Sequence, residues 1–66
     1  MEEVEIWRSA QVLVEHYGDA AEMAAAQRAD KALVQGDYLG FEVWKQIASA
    51  AKELGRQKPK EGESFH

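Results

Sequence analysis

The chain has 66 residues, two histidines and no cysteine, and its formal charge is −4 with a pI near 5.0. That length allows one domain and no second core, and a core so small is marginal on its own. The missing cysteines exclude disulfides and thiolate metal sites, and the acidic balance disfavours nucleic-acid binding by bulk electrostatics.

Two Gly-Asp pairs, Gly18-Asp19 and Gly36-Asp37, divide the sequence into three helix-length pieces. Gly tolerates the left-handed conformation just past a helix end. Asp accepts hydrogen bonds from the free N–H groups of the next helix. The first helix is expected from about Glu2 to Tyr17. Ile6, Ala10, Leu13, Val14 and Tyr17 recur at helical spacing, with Trp7 at the edge of the stripe. Glu2, Glu3 and Glu5 crowd its first turn, where the helix dipole favours negative charge. Glu5 and Arg8 stand three apart, at pairing distance on a helix.

The second helix is expected to open on Asp19-Ala20-Ala21-Glu22, an Asp variant of the capping box, and to end at Gly36. Alanine has the highest helix propensity, and this piece is rich in it. Ala21, Ala25, Ala29, Ala32 and Leu33 are the expected inward positions. The third helix is expected from Asp37 to about Leu54, with Phe41, Trp44, Ile47, Ala48, Ala51 and Leu54 as its apolar stripe. Gly40 weakens its start, which favours a start somewhat later than Asp37. Leu39 and Phe41 could bridge the connection to the core. Beyond Gly55, charge, Pro and Gly replace the apolar periodicity. The expected organisation is therefore an all-α three-helix bundle over residues 1–54, with short Gly-Asp connections and a flexible polar tail over residues 55–66.

No arrangement of residues calls for chemistry. There is no Ser-His-Asp set, glycine-rich phosphate loop or His-Glu-x-x-His. His16 has no second His or Cys near it in sequence, and metal sites need three or four ligands. Its position near a helix C-terminus suits the dipole. The carboxylates are dispersed, and Asp19, Glu22 and Asp37 are expected to cap helices. The sequence therefore predicts no enzyme activity, no cofactor and no metal. The N-terminus is acidic where a signal peptide is basic, and the uncharged runs are too short to cross a bilayer. Together these point to a cytoplasmic protein.

The segment Arg28–Ser49 carries the alternative. Ala32-x-x-x-Gly36 followed by a helix has the spacing of a DNA-binding helix-turn-helix. Against it, Glu42 falls where the second helix needs an apolar residue. The outward face of that helix would present Glu42, Lys45, Gln46 and Ser49, which is weakly charged. A small regulatory or nucleic-acid-associated protein is thus the second reading.

Val4, Val12, Val34, Leu39 and Val43 do not all fit a three-helix core. Gathered into a patch, such residues mark an interface. Val4 and Val12 fall on the outer side of the first helix, and Leu39 and Val43 are four apart on the third. These four are the candidate interface, and a second copy of the chain is the simplest partner.

Tyr17-Gly18-Asp19-Ala20-Ala21, Arg28-Ala29-Asp30, Leu33, Gly36-Asp37, Gly40, Trp44 and Ile47-Ala48 occur in this order. In that pattern the chain resembles a family of small uncharacterised helical proteins common in alphaproteobacteria, with a Tyr-Gly-Asp-x-Ala start and a Gly-Asp-x-x-Gly…Trp-x-x-Ile ending. The resemblance covers most of Ile6 to Leu54. It implies a helical fold and a bacterial, cytoplasmic origin, and no chemistry. Within it, Gly36, Asp37 and Gly40 would shape the second turn, Trp44 would fill the core and Arg28 would bridge to Asp37 or Glu15. The sequence assigns Asp30 no role. The function expected is a non-catalytic protein–protein interaction module that self-associates.

Overall fold

A computed structural model of the chain describes residues 3–57. The described residues are all-α. Helix α1 spans Glu3–Tyr17, α2 spans Ala21–Val34 and α3 spans Tyr38–Gln57. A single 3-10 turn, Gly18–Ala20, joins α1 to α2. Among the described residues, only Gln35, Gly36 and Asp37 lie outside helical structure. The chain is thus two helical runs: one jointed at Gly18–Ala20, and one continuous.

The two Gly-Asp pairs therefore behave differently, although their sequence suggests equivalent connections. At the second pair the expected chemistry is present. Gly36 takes a positive φ of 78°. Its N–H donates to the Leu33 carbonyl (3.0 Å), and the Asp37 N–H donates to the Ala32 carbonyl (2.8 Å). This double closure satisfies two carbonyls left free at the end of α2. The Asp37 carboxylate then accepts from the Gly40 N–H at 2.9 Å and caps α3. A Cβ on Gly40 would collide with that carboxylate, so the glycine makes room for the cap. The weakness of Gly40 as a helix former does not delay the start of α3, because the cap is built through it.

At the first pair, Gly18 also has positive φ, at 57°. The chain then returns to helical dihedrals within three residues, and the Ala21 N–H donates to the Gly18 carbonyl. Ala20 takes the position that caps α2, with no side-chain hydrogen bond. Asp19 stands one residue too early, so the expected Asp19–Glu22 capping box does not form. The expected connection is a joint, not a loop.

Helix α3 packs against both α1 and α2. The core holds Ile6, Ala10 and Leu13 from α1, Ala21 and Ala25 from α2, and Ile47, Ala50 and Ala51 from α3, with Val14, Val43, Trp44, Ala48 and Leu54 packed around it. Ala29 and Ala32 extend the buried face of α2. The expected stripes hold for most of these positions. Tyr17 and Leu33 are exceptions, both exposed, and Phe41 is only half-buried. Ala50 is buried without having been expected there.

Helix α3 runs three residues past Leu54, through Gly55. Gly55 keeps a negative φ, and Arg56 in the last turn suits the dipole. Arg56 also approaches Glu53 at 3.7 Å, the only ion pair among the described residues. Glu5 and Arg8 form none. The remainder of the expected tail, residues 58–66, lies outside the described residues.

The two glycines predict opposite effects. Gly36→Ala should destabilise the fold by about 1–2 kcal/mol, because the left-handed conformation crowds a Cβ. Gly55→Ala should stabilise it by about 0.5–1 kcal/mol, since the helix is regular there and the space is open. Urea denaturation of the two variants checks this, and shifts of the same sign would contradict it.

Candidate interaction surface

The side chains inside and outside this fold are distributed unusually by size. Seven of the ten buried apolar residues are alanines: Ala10, Ala21, Ala25, Ala29, Ala32, Ala50 and Ala51. Only Ile6, Leu13 and Ile47 are larger. Alanine lets helices approach closely but contributes one methyl group, worth about 0.8 kcal/mol on burial, against about 1.5–3 kcal/mol for a Leu or Ile. Most of the large apolar side chains stand in water instead.

Of the four residues singled out from sequence, three are exposed: Val4 (58%), Val12 (50%) and Leu39 (77%). Val43 is not. It shares the inward face of α3 with Ile47, Ala50 and Leu54, and packs against the core. Nor do the three exposed residues form one patch. Val4 and Val12 lie on the outer face of α1, interleaved with Arg8 and Glu15 at helical spacing.

The dense apolar surface is at the α2–α3 turn. Val34 (86%), Tyr38 (69%) and Leu33 (43%) stand there beside Leu39. Two residues end α2 and two begin α3, separated by the tight Gln35–Asp37 link. Helix α1 does not cover them. Its first turns, at Glu3, Ile6 and Trp7, face Gln46, Ser49 and Ala50 farther along α3. The sequence signal was the pair of apolar dipeptides flanking a tight turn, since residues at the closed end of a hairpin have no covering neighbour within it.

Aromatic contacts brace the hairpin behind this surface. The Arg28 guanidinium stands 5.1 Å from the centre of the Trp44 ring, joining α2 to α3. This replaces the expected bridge to Asp37 or Glu15. Lys45 stands 5.0 Å from the Phe41 ring, one turn along α3. Such contacts contribute about 0.5–1 kcal/mol at exposed sites. A groove of about 450 Å³ runs between α2 and α3, with Ala26, Ala29 and Ala48 among its lining residues. Glu22 and Asp30 edge it on α2, and Lys45 and Lys52 on α3. Glu22 shares the far end of the hairpin with Lys52, Gly55 and Arg56, so the two helices run antiparallel.

Among the described residues no cluster of His, Cys, Asp or Glu could hold a metal ion. His16 is exposed near the end of α1. No described helix is long and apolar enough to cross a membrane. The face of α3 proposed to read DNA, Glu42, Lys45, Gln46 and Ser49, is exposed and mixed in charge. In comparisons with known families, curated proteins and solved structures, nothing matches the chain.

The Arg28–Trp44 contact is directly testable. In a Trp7→Phe background Trp44 is the only tryptophan. Arg28→Ala should then shift its emission to longer wavelength and destabilise the fold by about 0.5–1 kcal/mol. Unchanged emission would show that Arg28 does not cover the indole.

Proposed function

We propose that the chain is a non-catalytic protein–protein interaction module: three helices around an alanine-lined contact, with its larger apolar side chains turned outward to meet a partner. One observation carries this reading. Val34, Tyr38 and Leu39 are each more than two-thirds exposed, while alanine fills most of the core. Contiguous exposed apolar surface on a small domain marks a binding site. The partner would contribute the burial that this core lacks.

The same reading keeps the proposed alphaproteobacterial kinship and a bacterial, cytoplasmic setting, neither of which adds a reaction. The reading proposed includes no catalysis. An active site needs converging polar groups in a cleft. The groove between α2 and α3 has Ala26, Ala29 and Ala48 in its lining, with Glu22, Asp30, Lys45 and Lys52 along it. The mixed charge of α3 supports a protein partner over nucleic acid.

Site-specific photo-crosslinking in the expressing cell tests this. A photoreactive residue placed at Val4, Val12, Val34 or Leu39 should give a discrete protein adduct from at least one position, and the Val34 and Leu39 sites should be the strongest. If none of the four yields an adduct, the interaction reading fails.

A further inference from the structure

The groove between α2 and α3 has walls of opposite sign. Glu22 and Asp30 stand on the α2 side, Lys45 and Lys52 on the α3 side, and among the described residues none of the four forms an ion pair. Lys45 lies over the Phe41 ring of its own helix, which leaves its positive charge uncompensated by a carboxylate. The groove face is the core face of α2 advanced by one position. Ala21, Ala25 and Ala32 are buried, and the residue after each, Glu22, Ala26 and Leu33, is exposed. Glu22, Ala26, Ala29 and Leu33 are spaced four, three and four apart, and so are Phe41, Lys45, Ala48 and Lys52 on α3. That alternation is the spacing of a coiled-coil seam. Helix α1 meets the hairpin elsewhere, on Ala21, Ala25, Ile47, Ala50 and Ala51, and contributes no residue to the groove.

The heights of these charges match. The helices are antiparallel, with Glu22 beside Lys52 at the open end and Leu33 and Phe41 flanking the turn at the other. Glu22 to Asp30 spans about 12 Å along α2, and Lys52 to Lys45 about 10 Å along α3, at ~1.5 Å per residue. A two-fold axis laid along the groove, parallel to the helices, sets α2 of one copy over α3 of the other, antiparallel. Glu22 then meets Lys52 of the other copy, Asp30 meets Lys45, and Leu33 and Phe41 of both copies close one end. An axis across the groove would set α2 on α2, with Glu22 against Asp30. The other charges do not oppose the first arrangement. Arg56 is paired with Glu53, and Glu42 is not part of the groove. The two Glu22 side chains share their end with two Lys52. Asp37 remains charged at the tip, in water beyond the Leu33–Phe41 level, and stands about 8–10 Å from its mate, one helix spacing and about one Debye length.

We propose that the α2–α3 groove is the contact between two copies of this chain, which join groove to groove about a two-fold axis parallel to the helices. The four helices of the two hairpins then form an antiparallel bundle, with α1 of each copy on the outside. Ala26, Ala29 and Ala48 let the hairpins approach closely, and the acidic side of each groove lies on the basic side of the other. The proposal rests on the interaction reading and adds the partner and the place. It moves the self-contact away from the outer valines of α1.

Sedimentation velocity across the micromolar to millimolar range tests it. The unaltered chain should show a monomer–dimer equilibrium. Ala26→Arg should raise the dissociation constant roughly tenfold or more, with helical circular dichroism unchanged because the position is exposed. Val12→Asp, on the outer face of α1, should associate like the unaltered chain. Two charge variants decide the axis. Glu22→Lys with Asp30→Lys makes the groove wholly basic, and Lys45→Glu with Lys52→Glu makes it wholly acidic. Each should be monomeric alone, and the two mixed should form a one-to-one dimer. A chain that stays monomeric throughout overturns the proposal. So does a dimer indifferent to Ala26→Arg, or a pair of folded charge variants that do not associate when mixed. A monomer that still crosslinks to a different protein from Leu39 would overturn this contact and leave the interaction module standing.

Discussion

The fold depends on the close approach of α3 to its two neighbours, and alanine makes that approach possible. Ala10, Ala25, Ala29, Ala50 and Ala51 put methyl groups where larger side chains would hold the helix axes apart. High helix propensity comes with them, so the segments are favourable as helices before they pack. The consequence is a shallow core. Each alanine contributes little burial; Ile6, Leu13 and Ile47 are the large side chains fully inside, and Val14, Val43, Trp44 and Leu54 pack half-buried around them. A larger residue could not be added there without forcing the helices apart. Much of the apolar surface of the described residues therefore lies outside the core: Leu33, Val34, Tyr38 and Leu39 at the hairpin end, and Val4, Trp7, Val12, Tyr17 and Met23 along α1 and α2.

The turn that creates the hairpin end is closed on both sides by its own residues. Gly36 closes α2, Asp37 opens α3, and Gly40 leaves room for the Asp37 carboxylate. Asp37 takes part in both events, through its N–H for α2 and its side chain for α3. Leu33, Val34, Tyr38 and Leu39 are held on two capped helix ends, so a partner proposed to bind there would have little left to order. The Arg28–Trp44 contact fastens α2 to α3 behind the turn.

Much of this was readable from the sequence, and the misreadings have physical causes. Helical periodicity found the inward alanines, because angular position around a helix follows from spacing alone. It misplaced Tyr17 and Leu33: Leu33 is exposed although Ala32, in the same turn, is buried, because its larger side chain stands at the edge of the inward face. Capping chemistry located Gly36-Asp37 and misread Gly18-Asp19. The dipeptide is the same, but after Gly18 the chain resumes a helix within a 3-10 turn and moves Asp19 out of the capping position. Val43 was assigned to the surface because the inward face of α3 is broader than a single stripe. Of the candidate interface, Leu39 stands within the hairpin-end surface. Val34 is among the apolar residues that the core cannot hold but not among the four of the candidate interface, and Tyr38 is in neither group; both stand uncovered at a closed turn.

On the reading proposed above, the alanine-built core leaves stability for a partner to complete, and a second copy of the chain is the simplest partner. Thermal unfolding as a function of protein concentration tests it most directly. An associating fold gains stability by mass action, so Tm should rise steadily with concentration. A Tm that is the same from dilute to concentrated solution would show that the alanine core suffices by itself, and would contradict the account.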